Sequence, residues 1–257
     1  MDKAESIFFR VLADIKEYLD NLVLVGGWVP YIYAKYLWGR VKKMPLGTSD
    51  IDLGVPLKIE KAPGNTIYDK LSSKYGEHHI SMDRMFPVVF HLENVEIHFI
   101  SSKDITKQTI DKLVGRQIHI NEVDSFEVLL NNTITIDIAD DKFHRYKIYI
   151  PKPAAYIYHK GLTFIDRQSE ESKAKDLHYI YYVLRFAPDL KSILSEVSKF
   201  EKDKDYAKFK GNLRKYFERI SSQGCLMVEK ENGPDEYIEN IRQDIFERFN
   251  NLIEHLR

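Results

Sequence analysis

The chain has 257 residues, 44% of them hydrophobic and 30% charged. That is the composition of an ordinary folded protein and excludes a disordered, collagenous or coiled-coil one. Lys plus Arg number 38 against 39 Asp plus Glu, so no net field advertises nucleic acid, a membrane or an acidic partner, and only a local basic groove stays open. The one cysteine, Cys225, cannot form an internal disulfide. The opening MDKAESIFFRVLADIKEYLD alternates charged with apolar residues where a signal peptide carries an apolar core. No stretch approaches the roughly 20 apolar residues of a membrane span. The expectation is a soluble, cytoplasmic protein with no membrane partner.

Ile7, Phe8, Val11, Leu12, Ile15 and Leu19 fall at helical spacing and predict an amphipathic helix over 4–19. The apolar run 22–25 ends at Gly26-Gly27, and 28–38 follows without turn residues: strand, glycine turn, helix. Residues 39–49, basic and polar with Pro45 and Gly47, predict a loop. It leads into 50–55, where Asp50 and Asp52 alternate with Ile51 and Leu53 at a strand's period of two, so both acids share one face. A helix is expected over 66–75, a hairpin from 86–92 and 95–100 about a Glu93-Asn94 turn, and further strands at 133–138 and 146–150. After Pro151 and Pro153 the pattern becomes helical over 154–165, 172–186, 189–200, 206–220 and 236–256. The expected architecture is α+β: a small mixed sheet packed by helices in 1–150, then a helical C-terminal domain in 151–257.

A glycine pair closing a strand, a helix, and then two acids one residue apart on the next strand is a specific order of parts. It suits metal-dependent nucleotidyl transfer, in which two Mg²⁺ ions about 4 Å apart need carboxylates that project together. Asp50 and Asp52 meet that demand. Gly26 and Gly27 allow close backbone approach to phosphates, and the N-terminus of the next helix offers free N–H groups. Thr48 and Ser49 add hydroxyls beside the acids.

LVGGWVPYIYAKYLWG followed by GTSDIDLGV resembles the signature of the polymerase-β-like nucleotidyltransferase superfamily, although the interval between Gly27 and Asp50 is longer than usual there. In that superfamily a third carboxylate on a later strand completes the metal site. The matching strand is VEIHFIS, residues 95–101, and the matching position holds His98. Three readings stay open: Glu96, two residues earlier on the same face, supplies the carboxylate; His98 ligates a softer metal; or the site is catalytically silent. IPKPAAYIYHKGLTFIDRQSEESKAKDLHYIYYVL is similar to the helical segment of AbiEii-type nucleotidyltransferases, with Lys160, Arg167, Lys175 and Asp176 at the matching positions.

The resemblance, which spans residues 22–184, implies an enzyme that uses Mg²⁺ (or Mn²⁺) and a nucleoside triphosphate. It places Asp50 and Asp52 at the metal, where Glu96 as the third carboxylate, or His98, completes the site and helps deprotonate the acceptor. Gly26, Gly27, Thr48, Ser49, Lys160, Arg167 and Lys175 fall at the nucleotide, and Asp176 orients a basic group or takes part in the chemistry. Lys160 suits a triphosphate as a point charge and Arg167 as a fork. It also implies an RNA acceptor, tRNA among them, and a protein antitoxin. Two rivals share the acid motif: a small-molecule (aminoglycoside-like) nucleotidyltransferase, and a degenerate interaction module suggested by His98.

Other features read as structural. The His78-His79 pair has no metal-ligand spacing to a second cluster. Tyr179, Tyr181, Tyr182 and Phe186 read as core and bundle surface, the lysines between 199 and 210 as a solvated charged turn, and Cys225 as a packing residue.

Overall fold

The computed structural model describes residues 3–39, 43–59, 64–79, 87–234 and 239–256. By its internal contacts the chain divides into two units, Met1–Gly39 with Leu46–Pro151, and Arg40–Pro45 with Lys152–Arg257. In the first, helix α1 (Lys3–Asp14) buries Ile7, Phe8, Phe9, Val11 and Leu12, and a 3₁₀ turn leads into strand β1 (Val23–Val25). The glycine turn follows, then α2 (Trp28–Ile32), extended by a π turn over Tyr33–Leu37. Next come β2 (Asp50–Gly54) and α3 (Ile67–Leu71), which opens on a Thr66/Asp69 capping box. Strand β3 (Gly76–His79) precedes the hairpin of β4 (Val88–Leu92) and β5 (Val95–Ser101). After α4 (Lys107–Thr109), the first unit ends with β6 (Ile120–Glu122), α5 (Glu127–Asn131), β7 (Thr133–Ala139) and β8 (Arg145–Pro151).

The strands form one mixed sheet in the order β3-β4-β5-β2-β1-β8-β7, with β6 paired to the far end of β5. Alternation sorts its faces. Ile51 and Leu53 on β2 and Val95, Ile97 and Phe99 on β5 are buried, whereas Asp50, Asp52, Glu96, His98 and Ile100 are half-buried. The β2–β5 ladder is parallel, with Asp50 beside Glu96 and Asp52 beside His98, so these four side chains rise from one face. At the other end of that face Phe126 and Leu129 pack on Val23 and Val25, with Ile100 against them. A Cβ on Gly54 would lie 3.2 Å from both Phe126 and Leu130. Helix α5 thus covers one end of the face and the acids occupy the other.

The second unit is helical: α6 (Pro153–Thr163), α7 (Glu170–Phe186), α8 (Leu190–Ser198), α9 (Tyr206–Tyr216), α10 (Gln223–Asn232) and α11 (Ile241–His255). Proline opens α6, and Ser169, Asp189 and Asn240 cap α7, α8 and α11 through their side chains. Tyr179, Tyr181 and Tyr182 are buried, as is Cys225, in keeping with their reading as core. Among the described residues no helix is long and apolar enough to cross a membrane.

Sequence periodicity missed β3, β6, α4, α5 and α10. Strand β3 reads GEHH and is polar on both faces, and α10 buries only Gly224, Cys225 and Val228, so neither carries an apolar repeat. The expected features at residues 40–42, 86 and 236–238 lie outside the described residues.

His178 on α7 is 3% exposed, and its Nδ1 has no hydrogen-bond partner among the described residues. Burial, with Lys43 and Arg185 adding repulsion, pulls the imidazole down to about 4. The unfolded chain protonates near its ordinary value of about 6.5 and therefore binds the extra proton first. Stability is full above pH ~6.5 and falls by up to about 3 kcal/mol as the pH drops towards 4. Urea midpoints measured down this range should decline in the wild type and less steeply in His178→Leu; equal slopes would contradict the assignment.

Candidate metal centre

Asp50, Glu96 and His98 each bring one donor atom to within 4.8 Å of the other two. The parallel ladder makes Asp50 and Glu96 neighbours, and the strand period places His98 next along the same face. His98 Nε2 lies 3.1 Å from Glu96 Oε2, with the side chains 23% and 43% exposed. Ser49 Oγ donates to Asp50 Oδ1 at 3.1 Å, and the Asp50 N–H donates to Thr48 Oγ1 at 3.4 Å. The hydroxyls expected beside the acids are thus bonded to Asp50. Two carboxylates and an imidazole form a donor set that fits a divalent ion.

Asp52 shares the face but stands outside this triad, with its carboxylate against the glycine turn. Gly26 has φ of +69°, and a Cβ there would overlap the Asp52 carboxylate. The position demands glycine twice, for its backbone and for the space. Gly27, at φ of −74° and ψ of −19°, has ordinary helical backbone. The helix it opens is short, and Trp28, Val29 and Pro30 at its start are buried.

His78 is not one of the three residues whose donors converge, but it stands beside them, its Nδ1 3.6 Å from Glu96 Oε1. Strand β3 pairs with β4 and β4 with β5, setting His78 opposite Val89, Gly76 opposite His91, and His91 opposite Glu96. Histidines from three adjacent strands therefore share the face of Glu96. The His78 and His91 ring centroids are 6.5 Å apart, and a Cβ on Gly76 would overlap the His91 ring. His91 could have been found from sequence, because a two-residue Glu93-Asn94 turn pairs Leu92 with Val95 and hence His91 with Glu96. His78 could not, since nothing in GEHH signals a strand.

Within the second unit, Lys160, Arg167 and Asp176 meet. Lys160 Nζ donates to Asp176 Oδ1, and Arg167 Nε donates to Oδ2 at 2.7 Å. The Lys160 ammonium also lies 5.8 Å from the Tyr156 ring centroid and 5.7 Å from that of Tyr179. Burial acts to raise the Asp176 pKa, but Lys160 and then Arg167 outweigh it and hold the carboxyl below its usual range. Lys175 stands apart, paired with Glu171 at 3.1 Å on an exposed part of α7.

No protein-family model and no curated protein matches the chain. Among solved structures it is similar to an antigenic nucleotidyltransferase-like protein from Paracoccidioides brasiliensis, at 14% identity and a TM-score of 0.42, over 80% of this chain and 93% of that one. The fold itself defines an α+β protein, with a mixed sheet that carries, on one face, a half-buried cluster compatible with a divalent ion.

Proposed function

We propose that the protein is a metal-dependent nucleotidyltransferase, which moves a nucleoside monophosphate from a nucleoside triphosphate to an acceptor hydroxyl. The observation that carries this reading is the convergence of Asp50, Glu96 and His98, with Asp52 alongside, on one end of a sheet face. Asp50 and Glu96, with His98, would hold a divalent ion, Mg²⁺ or Mn²⁺ by the resemblance, which also names Asp52, the carboxylate that stands beside them on the same face. When bound, such an ion neutralises the triphosphate and eases deprotonation of the acceptor.

The chain's own residues do the positioning. Ser49 and Thr48 fix Asp50, the Gly26 turn makes room for Asp52, and Glu96 or His98 takes up the acceptor's proton. The acceptor oxygen attacks the α-phosphorus, and pyrophosphate leaves. By the AbiEii resemblance the acceptor is an RNA, tRNA included, and the partner is a protein antitoxin. Arg167 and Lys175, with side chains 47% and 46% exposed, are phosphate contacts by the same resemblance; the resemblance names Lys160 as well, but its side chain is 9% exposed and paired with Asp176, so it reaches a phosphate only when that pair opens.

The test is transfer of label from α-labelled ATP, CTP, GTP and UTP to total cellular RNA, with an Asp50→Asn/Asp52→Asn control. A discrete band labelled by wild type alone is expected. A folded, nucleotide-binding wild type that labels no RNA would sink the RNA reading. His98, standing where the resembled family carries an acid, motivates one second reading, a silent interaction module. That reading predicts no transfer to any acceptor, RNA or small molecule, and no functional change in the double variant.

A further inference from the structure

We propose that the Asp50–Glu96–His98 centre takes a divalent transition ion of the Mn²⁺, Co²⁺ or Zn²⁺ class in preference to Mg²⁺, with the His98 imidazole as the nitrogen ligand. This rests on reading the cluster as the metal centre and goes on to assign the class of ion.

Three observations carry it. The donor atoms of Asp50, Glu96 and His98 all lie within 4.8 Å of one another. An ion about 2.0–2.2 Å from each ligand sets neighbouring donors about 3 Å apart and opposite donors about 4 Å apart, so small side-chain rotations close the set. Secondly, one of the three donors is an imidazole nitrogen, a ligand suited to borderline transition ions. Mg²⁺ holds to near-ideal octahedral oxygen coordination and keeps several waters.

The third observation is the surroundings of Glu96. Its Oε2 lies 3.1 Å from His98 and its Oε1 lies 3.6 Å from His78 Nδ1, and His91 is its cross-strand neighbour. Nitrogen donors therefore border both oxygens of the carboxylate. For a transition ion each is a further ligand or a group that orients one; for Mg²⁺ they take the place of the waters it retains. All the groups stand on paired strands of one sheet, so their spacing is set by the backbone ladder and not by loops.

The experiment uses the untagged full chain, without nucleotide. Calorimetric titration with Mg²⁺, Mn²⁺ and Zn²⁺ is paired with the visible absorption of bound Co²⁺. The expected result is one ion per chain, with Mn²⁺ and Zn²⁺ bound at least about tenfold more tightly than Mg²⁺. His98→Ala should weaken Mn²⁺ and Zn²⁺ binding by about 10- to 100-fold and shift or abolish the Co²⁺ bands. His98→Asp, an all-oxygen set, should narrow the gap to Mg²⁺ and guards against loss of folding in the alanine variant. Far-ultraviolet circular dichroism reports the fold of each variant.

Equal affinity for Mg²⁺ and the transition ions, or preference unchanged in both folded His98 variants, overturns the proposal. Because no nucleotide is present, the result separates from that of the labelling assay. Transfer supported by Mg²⁺ without any transition-ion preference would discard this inference alone. Selective ion binding without transfer would discard the nucleotidyltransferase reading alone.

Discussion

Asp176→Asn is expected to destabilise the protein by about 3–5 kcal/mol, the usual cost of removing one partner from a buried ion pair. The Asp176 and Lys160 side chains are 5% and 9% exposed, so the substitution takes the Asp176 counter-charge from a buried ammonium that little water reaches. Arg167, at 47%, can rehydrate, and Arg167→Ala should cost only about 1 kcal/mol or less. If the loss comes from uncompensated charge and not from lost shape, Lys160→Met combined with Asp176→Leu should recover most of it.

The pH dependence follows from the lowered pKa of Asp176. Stabilisation by this group is fully present above the unfolded carboxyl value, about 3.9, and is lost as the pH falls through the lower folded value. Wild type should therefore show an acid limb below pH ~4 that Asp176→Asn flattens. Urea denaturation across pH measures both effects. A loss under about 1 kcal/mol in Asp176→Asn would mean that Lys160 finds other compensation.

Gly26→Ala is expected to damage both stability and the site. An alanine at φ of +69° costs roughly 1–2 kcal/mol in backbone strain, and its Cβ must displace the Asp52 carboxylate. Misplacing a reacting group by about 1 Å costs on the order of 100-fold in rate, so transfer should fall by about that factor. Gly39→Ala is the matched control. It too has a positive φ, +77°, but among the described residues no atom lies within 4 Å of where the Cβ would go, so it should share the strain and keep the rate. Equal transfer rates in the two variants would show that the Asp52 position does not matter to the chemistry.

What was legible in the sequence follows from what each signal depends on. Strands β2 and β5 could be read because apolar residues alternate there with acids or histidine, and that alternation also put Asp50 with Asp52, and Glu96 with His98, on one face of each strand; the parallel ladder that brings the two pairs together could not be read. The separation of Asp52 from the triad was hidden, because its carboxylate lies in the space left by the missing Cβ of Gly26, which the spacing does not show. His78 was hidden because β3 has no buried face of its own and is a strand only through its pairing with β4. Lys160, Arg167 and Asp176 could be named by resemblance. That two of them are buried together could not be read, since nothing local in the sequence distinguishes a buried lysine from a solvated one on a helix.

Nucleotidyl transfer through Asp50 is tested most directly by parallel incubations with a nucleoside triphosphate labelled at the α- or the γ-phosphorus, in Mg²⁺ or Mn²⁺ with RNA. The prediction is α-label in the RNA and γ-label in pyrophosphate, both abolished in a folded Asp50→Asn variant. Label from the γ-position in the acceptor or in inorganic phosphate, or transfer undiminished in Asp50→Asn, would contradict it.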